Sequence, residues 1–508
     1  MKRRGIIFLI FLLFVSCEPG KDYLRKKEIV VGIEASPSTL DPRLARDAYA
    51  VQILPLVFSG LFTIGDNLEP VPELVESYQQ LDELTYQFKL KSEIRFASGK
   101  ILTSQDVKAT LESLLLPGLN SPYLDLARKI QKIKILDEEN FQIKLKQAYA
   151  PILVELGIGI LPEGLAEKTS LKSSELYGAG AYQIEEFIPG SKVVLVPNPY
   201  YPQRPYFEKI IFKIIPEDTT RLLSLEKGEV QLLQSPIPPD ELTRLKENPE
   251  LKLWMRPGIN YSYLGFNLRD PILSNLLVRK AIAYAINRDE IIHCLLKDTV
   301  FKADTLLSPR HWAYESEVEK YSYQPERAKE LLDQAGYPDP DGDGPLPRFR
   351  LAYKTSQNQV RLWIAQAIAE QLGKVGIEVE VRSLEWGTLF SDIQAGNFQI
   401  YTLTWVGVVE PDIYYTIFHS QSIPPAGANR GGYFNPELDQ LLEQARRTTE
   451  RKERRQIYSQ VQKIISQELP YLSLWYSMDI MVCRRELAGF QLGPGGEWTG
   501  LIQSRWEQ

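Results

Sequence analysis

Side chains suited to acid–base or metal chemistry are sparse in this chain. Three histidines, His293, His311 and His419, lie in unrelated segments, and no triad or zincin spacing can be written from them. GxSxG, HExxH and Walker A patterns do not occur. The run DPDGDG from Asp339 to Gly344 superficially resembles a calcium loop. Its twelfth position is Arg350 where such a loop needs a bidentate glutamate, and Pro345 and Pro347 break the exiting helix. A plain turn accounts for the same residues. Glu138 and Glu139 are neighbours in a solvated turn. Beyond Cys17 only Cys294 and Cys483 remain, too few for a disulfide scaffold or a zinc site. One bridge between them is conceivable, but two free, buried thiols fit better because Cys294 sits in an apolar helical stretch. No catalytic residue, metal ligand or cofactor is therefore expected. The chemistry that remains is noncovalent binding.

The stretch with the most binding character is Gly396 to Ser420, GNFQIYTLTWVGVVEPDIYYTIFHS. Phe398, Ile400, Tyr401, Leu403, Trp405 and Val406 have the bias of a buried strand, which Gly407 interrupts and Glu410, Pro411 and Asp412 end. Glycine in a strand marks a close approach of backbone or ligand, and tryptophan offers a broad apolar wall. A core strand with a bulge would read the same way.

The elements that must hold this stretch are of both kinds. A strand at Ile29 to Ile33 leads into EASPSTLDPRLARDAYA, where Pro37 and Pro42 keep the chain extended. A helix is expected over Val51 to Leu61. YQFKLKSEIRF alternates as a strand, and Thr103 with Asp106 forms a capping box for the next helix. AYQIEEF and SKVVLVPNP flank Pro189 and Gly190 as a hairpin, and KIIFKII is a third strand before an acidic helix start. VRKAIAYAINRDEIIHCLL reads as two helices, the second capped by Asn287. AIAEQLGKVGIEVEVRSLEW is a helix, a glycine stop and a strand, a βαβ-like unit. RRTTERKERR near Arg446 reads as the solvated face of a helix.

Lys2, Arg3 and Arg4 followed by the apolar run Ile6 to Val15 form a secretory signal peptide, the run being too short to span a bilayer. FVSC then resembles a lipobox, with cleavage before Cys17 and lipid attachment to its thiol. Loss of residues 1–16 removes three positive charges and takes the formal balance from −6 to −9. Basic residues are dispersed among acids, so no nucleic-acid partner is expected. With 44% hydrophobic residues and about 490 mature residues, the chain exceeds one core and should form at least two lobes.

The runs STLDPR, IRFASGKILTSQDVKATLESLL, GAGAYQIEEFIPGSKVVLVPNPYYPQRPYFEKIIFKIIPEDTTRLLSLEKGEVQLL, YLGFNLRDPILSNLLVRKAIAYAINRDEII and YQPERAKELLDQAGYPDPDGDG, with the stretch above, resemble the family 5 extracellular solute-binding proteins, the peptide-receptor subunits of ABC importers. The resemblance covers nearly the whole mature chain in order. It implies an α/β fold, the two-lobed periplasmic binding protein type II in its large three-domain version with mixed β-sheets. Residues 1–16 would be the signal peptide and 17–27 a lipidated tether. Domain I would comprise 28–47, 178–262 and 476–508, domain II 48–177 in the same lobe, and domain III 263–475 the second lobe.

Function follows from the same resemblance: capture of a peptide or another small solute between the lobes and delivery to permease subunits. The chain would be a monomer in the bacterial cell envelope, held to the membrane by lipid on Cys17 and facing the periplasm or exterior. A secreted hydrolase or a solute sensor are the alternatives. Ala35 to Leu40 and Thr404 to Val408 would pair with ligand backbone as added strands. The implied site residues are Ser36, Trp386, Thr404, Trp405, Val406, Gly407, Val408, Glu410 and Asp412. Peptide receptors of this kind place an aspartate just after the strand to pair with the peptide amine; here Val408 stands there, leaving Glu410 or Asp412 to take that duty.

Overall fold

In a computed structural model, the structure describes Tyr23 and residues 26–234, 237–342 and 344–507. The expected signal peptide, Cys17 and most of the tether lie outside these residues. Among the described residues no helix is long and apolar enough to cross a membrane.

The molecule is two-lobed, and one 11-stranded sheet runs through both lobes. At its centre the strands Leu251–Phe266 and Tyr471–Arg484 pair antiparallel along nearly their full length. On one side Tyr471–Arg484 pairs with Leu232–Gln234, which neighbours Glu28–Ile33, Lys209–Ile214 and the hairpin Lys192–Pro197 with Tyr182–Ile188. On the other, Leu251–Phe266 pairs with Ile400–Trp405, followed by Phe349–Ser356 and Ile377–Leu384. The sheet is mixed, as the strand and helix order implied: Glu28–Ile33 runs parallel to Lys209–Ile214, whereas the hairpin is antiparallel. A separate four-stranded sheet joins Val75–Gln80, Thr85–Leu90, Asn140–Leu145 and Ile130–Ile135.

Cores follow this division. Ile29, Leu195, Phe212 and Trp498 pack in one core, and Phe88, Leu111, Phe141 and Ile143 form that of the four-stranded unit. In the second lobe Ile282, Leu332, Ile368 and Ile377 pack together, beside an aromatic core containing Tyr263, Tyr401, Tyr414 and Tyr458. The long ladder is shared. Tyr261 and Tyr476 pack into the aromatic core of the second lobe, while Met481 and Cys483 pack into the first. Between them the register shifts from Pro257 to Tyr261. A Cβ on Gly258 would stand 2.6 Å from the Ser477 carbonyl oxygen, so only glycine lets the strands approach here. Arg256 clamps the same place, donating to Asp479 Oδ2 at 3.1 Å and to the Leu492 and Gly493 carbonyls.

Local readings hold where they rest on caps and turns. Thr103 and Asp106 form the capping box of Ser104–Ser113, and Asn287 accepts from the Glu290 amide at 3.1 Å. Others require correction. The expected helix over Val51 to Leu61 is Ala48–Ile53 and a single 3₁₀ turn at Leu54–Leu56, because Pro55 ends regular helix. The strand in YQFKLKSEIRF stops at Leu90. Both thiols are free, but Cys294 is exposed and only Cys483 is buried; burial pushes the Cys483 thiol up to about 12.

Glu73 ties two loops of the four-stranded unit together, its Oε2 accepting from the Gly60 amide at 3.0 Å. Burial pushes its carboxyl up to about 7, against the pull of hydrogen bonds from Ser59 and Gly60 and the charge of Lys91. The folded state thus holds a proton that the unfolded chain releases above its ordinary value of 4.5. Stability from this group is greatest below about 4.5 and declines as pH rises toward 7. Glu73→Gln, which mimics the protonated form, should therefore flatten this slope relative to wild type by on the order of 2 kcal/mol between pH 5 and 8. Thermal melts of both proteins across that range check it, and parallel slopes would refute it.

Candidate functional site

Three parallel strands of the second lobe, Phe349–Ser356, Ile377–Leu384 and Ile400–Trp405, end on one edge of the sheet. Ligands of open α/β sheets bind outside the carboxyl ends of such strands, where chains leave the sheet in different directions. Asn358 caps the helix Gln359–Gly373 by accepting from the Arg361 amide, and Glu385 caps Trp386–Ala395 by accepting from the Thr388 amide. After Trp405 no long helix follows. The chain instead leaves the sheet as an irregular segment through Val406 and Glu410 before the short helix Ile413–Phe418.

Several expected site residues meet at this edge. Trp386 is the first residue of its helix, half exposed and stacked on Phe390 with ring centres 5.8 Å apart. Arg361 lies over its ring at 5.5 Å. Arg430 then links Phe390 to Trp405, its guanidinium centre 5.5 Å and 5.1 Å from the two rings. Thr404 Oγ1 and Ser262 Oγ are hydrogen-bonded at 2.8 Å, which fixes the strand end against the ladder. Gly407 has φ +67°, and its amide donates to Asn260 Oδ1 at 2.9 Å. That left-handed conformation suits glycine and turns the chain out of the sheet. Val406 in consequence faces outward, 64% exposed.

Val408 points the opposite way. It is 3% exposed and packs into the aromatic core of the second lobe. Glu410 and Asp412 are committed elsewhere. Asp412 accepts two bonds from Arg446, both 2.8 Å. Glu410 is paired with Arg454; burial pushes its carboxyl up and the guanidinium pulls it back. Burial also opposes the Arg446 charge, but the Asp412 carboxylate more than offsets it and holds the guanidinium above its ordinary value. Neither acid is left over for a ligand amine. Ser36 belongs to the other lobe, where its hydroxyl accepts from the Gly190 amide at 3.1 Å.

The arginines are what sequence reasoning missed. RRTTERKERR was expected to cover a solvated face, yet the half-buried Arg446 and the buried Arg454 are partners of the loop after Trp405, and Arg451 pairs with Glu69. Arg446 also lies 3.5 Å over Tyr415 and 5.9 Å from Tyr149, while its carbonyl accepts from the Ala150 amide at 2.7 Å. A usable signal was present in the acids Glu410 and Asp412, which a loop ending a buried strand could not leave unpaired. His311 was also passed over. Its Nδ1 accepts from the Ala313 amide, which leaves Nε2 to donate to the Val409 carbonyl at 3.2 Å. Burial lowers its pKa to about 4, so it acts as a neutral prop. Of the others, His293 is an exposed neighbour of Asp298, and His419 is buried beside Asp439 and Glu443.

Two lobes that share one mixed sheet through a single long ladder define the type II binding-protein class. Residues 69–424 match the model of the bacterial extracellular solute-binding proteins, family 5, and the chain belongs to that family. The oligopeptide-binding protein AppA of Bacillus subtilis is 29% identical over 489 residues, 92% of this chain and 89% of that protein. The dipeptide-binding protein of Escherichia coli is 25% identical over 512 residues, 93% and 94% of the two chains. The solved structure of B. subtilis AppA in complex with a nonapeptide superposes with a TM-score of 0.78 at 26% identity, covering 95% of this chain and 99% of that one. Membership of an extracellular family fits an envelope-facing location.

Asp412 and Arg446 test how the site loop is held. Removing one partner of a buried pair costs about 3 to 5 kcal/mol, and Arg446 is 26% exposed, which favours the lower end. Asp412→Asn should therefore lower unfolding stability by about 3 kcal/mol in urea titrations; a loss below about 0.5 kcal/mol would mean the pair behaves as a surface contact.

Proposed function

We propose that this chain is the lipid-anchored receptor of an ABC importer, taking a peptide or related small solute between its lobes and delivering it to the permease subunits. The observation that carries this reading is the carboxyl edge of the second lobe, where Trp386 and Trp405 stand beside a strand end that leaves the sheet at Gly407. Thr404 to Val408 from one lobe and Ala35 to Leu40, with Ser36, from the other offer backbone to an extended ligand, giving sequence-independent affinity. The relatives named for oligopeptides and dipeptides support the same class of solute. Binding rather than catalysis is the role in this reading, in keeping with relatives named as peptide-binding proteins.

Domain I (28–47, 178–262, 476–508) and domain II (48–177) form one lobe in this reading, and domain III (263–475) the other. The lobes close about the ladder where its register shifts between Pro257 and Tyr261. Cys17 carries the lipid, and the residues up to Lys27 are the tether.

Four measurements test the proposal. Native mass spectrometry of gently purified protein should detect a bound solute of peptide-like mass, and small-angle scattering should show a smaller radius of gyration before that solute is stripped than after. Trp405→Ala should weaken rebinding of the recovered solute at least tenfold, in keeping with about 1.5 to 3 kcal/mol for a large buried side chain. Cys17→Ser should move the protein from the membrane to the soluble fraction; equal retention of the mutant would end the anchor assignment.

A further inference from the structure

Beyond the wall of Trp386 and Trp405 lies a second space. A cavity of about 210 Å³ sits where the four-stranded unit meets the second lobe, with Tyr78, Leu153 and Val154 on one side and Trp312 on the other. Its walls come from both lobes, so it is complete only while the lobes are together. The seam is held by the Ala150 amide bond to the Arg446 carbonyl and by the pair of Arg451 with Glu69. Glu410 also lines it, two residues beyond Val408. His311, next to Trp312, holds the intervening Val409 carbonyl. The segment Val406 to Glu410 thus leads from the aromatic wall directly to the cavity.

Charge decides what this space can hold. Each charged group on its wall already has a partner, Arg451 with Glu69 and Arg454 with Glu410. The guanidiniums of Arg451 and Arg454 both lie 5.6 Å from the Trp312 ring, which uses their remaining faces. Asp412 is taken by Arg446, and the Val408 side chain is apolar and turned into the core. A free ammonium entering here would lose its hydration with no carboxylate to receive it. An aliphatic group would instead meet Tyr78, Leu153, Val154 and Trp312.

We infer that this cavity receives an uncharged, aliphatic-capped end of the solute, so that the receptor prefers peptide-like ligands whose amine is blocked by a short acyl group. The inference rests on the solute-receptor reading and adds to it the chemistry of one ligand end. Because both lobes build the cavity, an acyl group seated there contacts each of them and favours closure.

The test is calorimetry with one tripeptide, Ala-Leu-Phe, in free, N-acetyl, N-butanoyl and N-dodecanoyl forms. The acetyl and butanoyl forms should bind at least tenfold more tightly than the free form, with butanoyl best and dodecanoyl losing the gain because it exceeds the cavity. Two variants alter the space without touching the ion pairs. Leu153→Phe narrows it and should abolish the butanoyl advantage while leaving the acetyl form bound. Tyr78→Ala, at a residue 43% exposed, enlarges it and should shift the preference toward longer chains. Tighter binding of the free tripeptide, or an acyl-length preference unchanged in both variants, overturns the inference while leaving the receptor reading intact. Failure of every form to bind overturns it as well, and the receptor reading then stands or falls on the co-purified solute.

Discussion

One antiparallel ladder relates the two halves of this molecule. Leu251–Phe266 and Tyr471–Arg484 are each long enough to belong to two cores, and their mutual hydrogen bonds carry the sheet from one lobe into the other. A continuous ladder resists sliding and shear because any change of register would expose one face of buried side chains. Its pairing is irregular at two neighbouring places, between Pro257 and Tyr261, beside Gly258, and between Ser262 and Tyr263. Both irregularities fall in the short stretch where the ladder passes from one core to the other.

Within the second lobe, buried arginines do much of the positioning. Arg279 donates to the carbonyls of Leu273, Ser274, Glu468 and Leu469, and Arg288 to those of Ala303, Tyr321 and Ser473. Each guanidinium fork satisfies several carbonyls that loops would otherwise bury without partners. Arg446 and Arg454 do the same for carboxylates, fixing Asp412 and Glu410 in the loop that leaves the site strand. The loop is held from Gly407 to Asp412, while Val406, its first residue, remains exposed.

The relation between site and seam follows from the same residues. Arg446 contacts Asp412 through its side chain and Ala150 of the opposite lobe through its carbonyl, so the loop after Trp405 and the surface that meets the other lobe share one residue. Its ring contacts with Tyr149 and Tyr415 come from the two sides of that seam.

The order and type of most elements were legible in the residues. Short-range physics decides them: the capping box at Thr103, the Pro189–Gly190 hairpin, and the helix and strand on either side of Gly376 depend on neighbours in sequence. The resemblance carried the two-lobed fold because its motifs extend along nearly the whole chain. The strand up to Trp405 and its interruption at Gly407 were recognisable from local composition alone. Tertiary structure alone decided where charges end. Glu410 and Asp412 looked available because their partners, Arg454 and Arg446, are 44 and 34 residues away and lie on helices whose basic run reads as solvated. Val408 was read as standing at the ligand in place of an amine-pairing aspartate, whereas beyond the left-handed turn at Gly407 its side chain packs into the core. The cavity beside Trp312 could not be read at all, since it exists between surfaces that only folding brings together. Periodicity and caps act over a few residues, whereas ion pairing and enclosure depend on distances that the chain acquires only when its lobes meet.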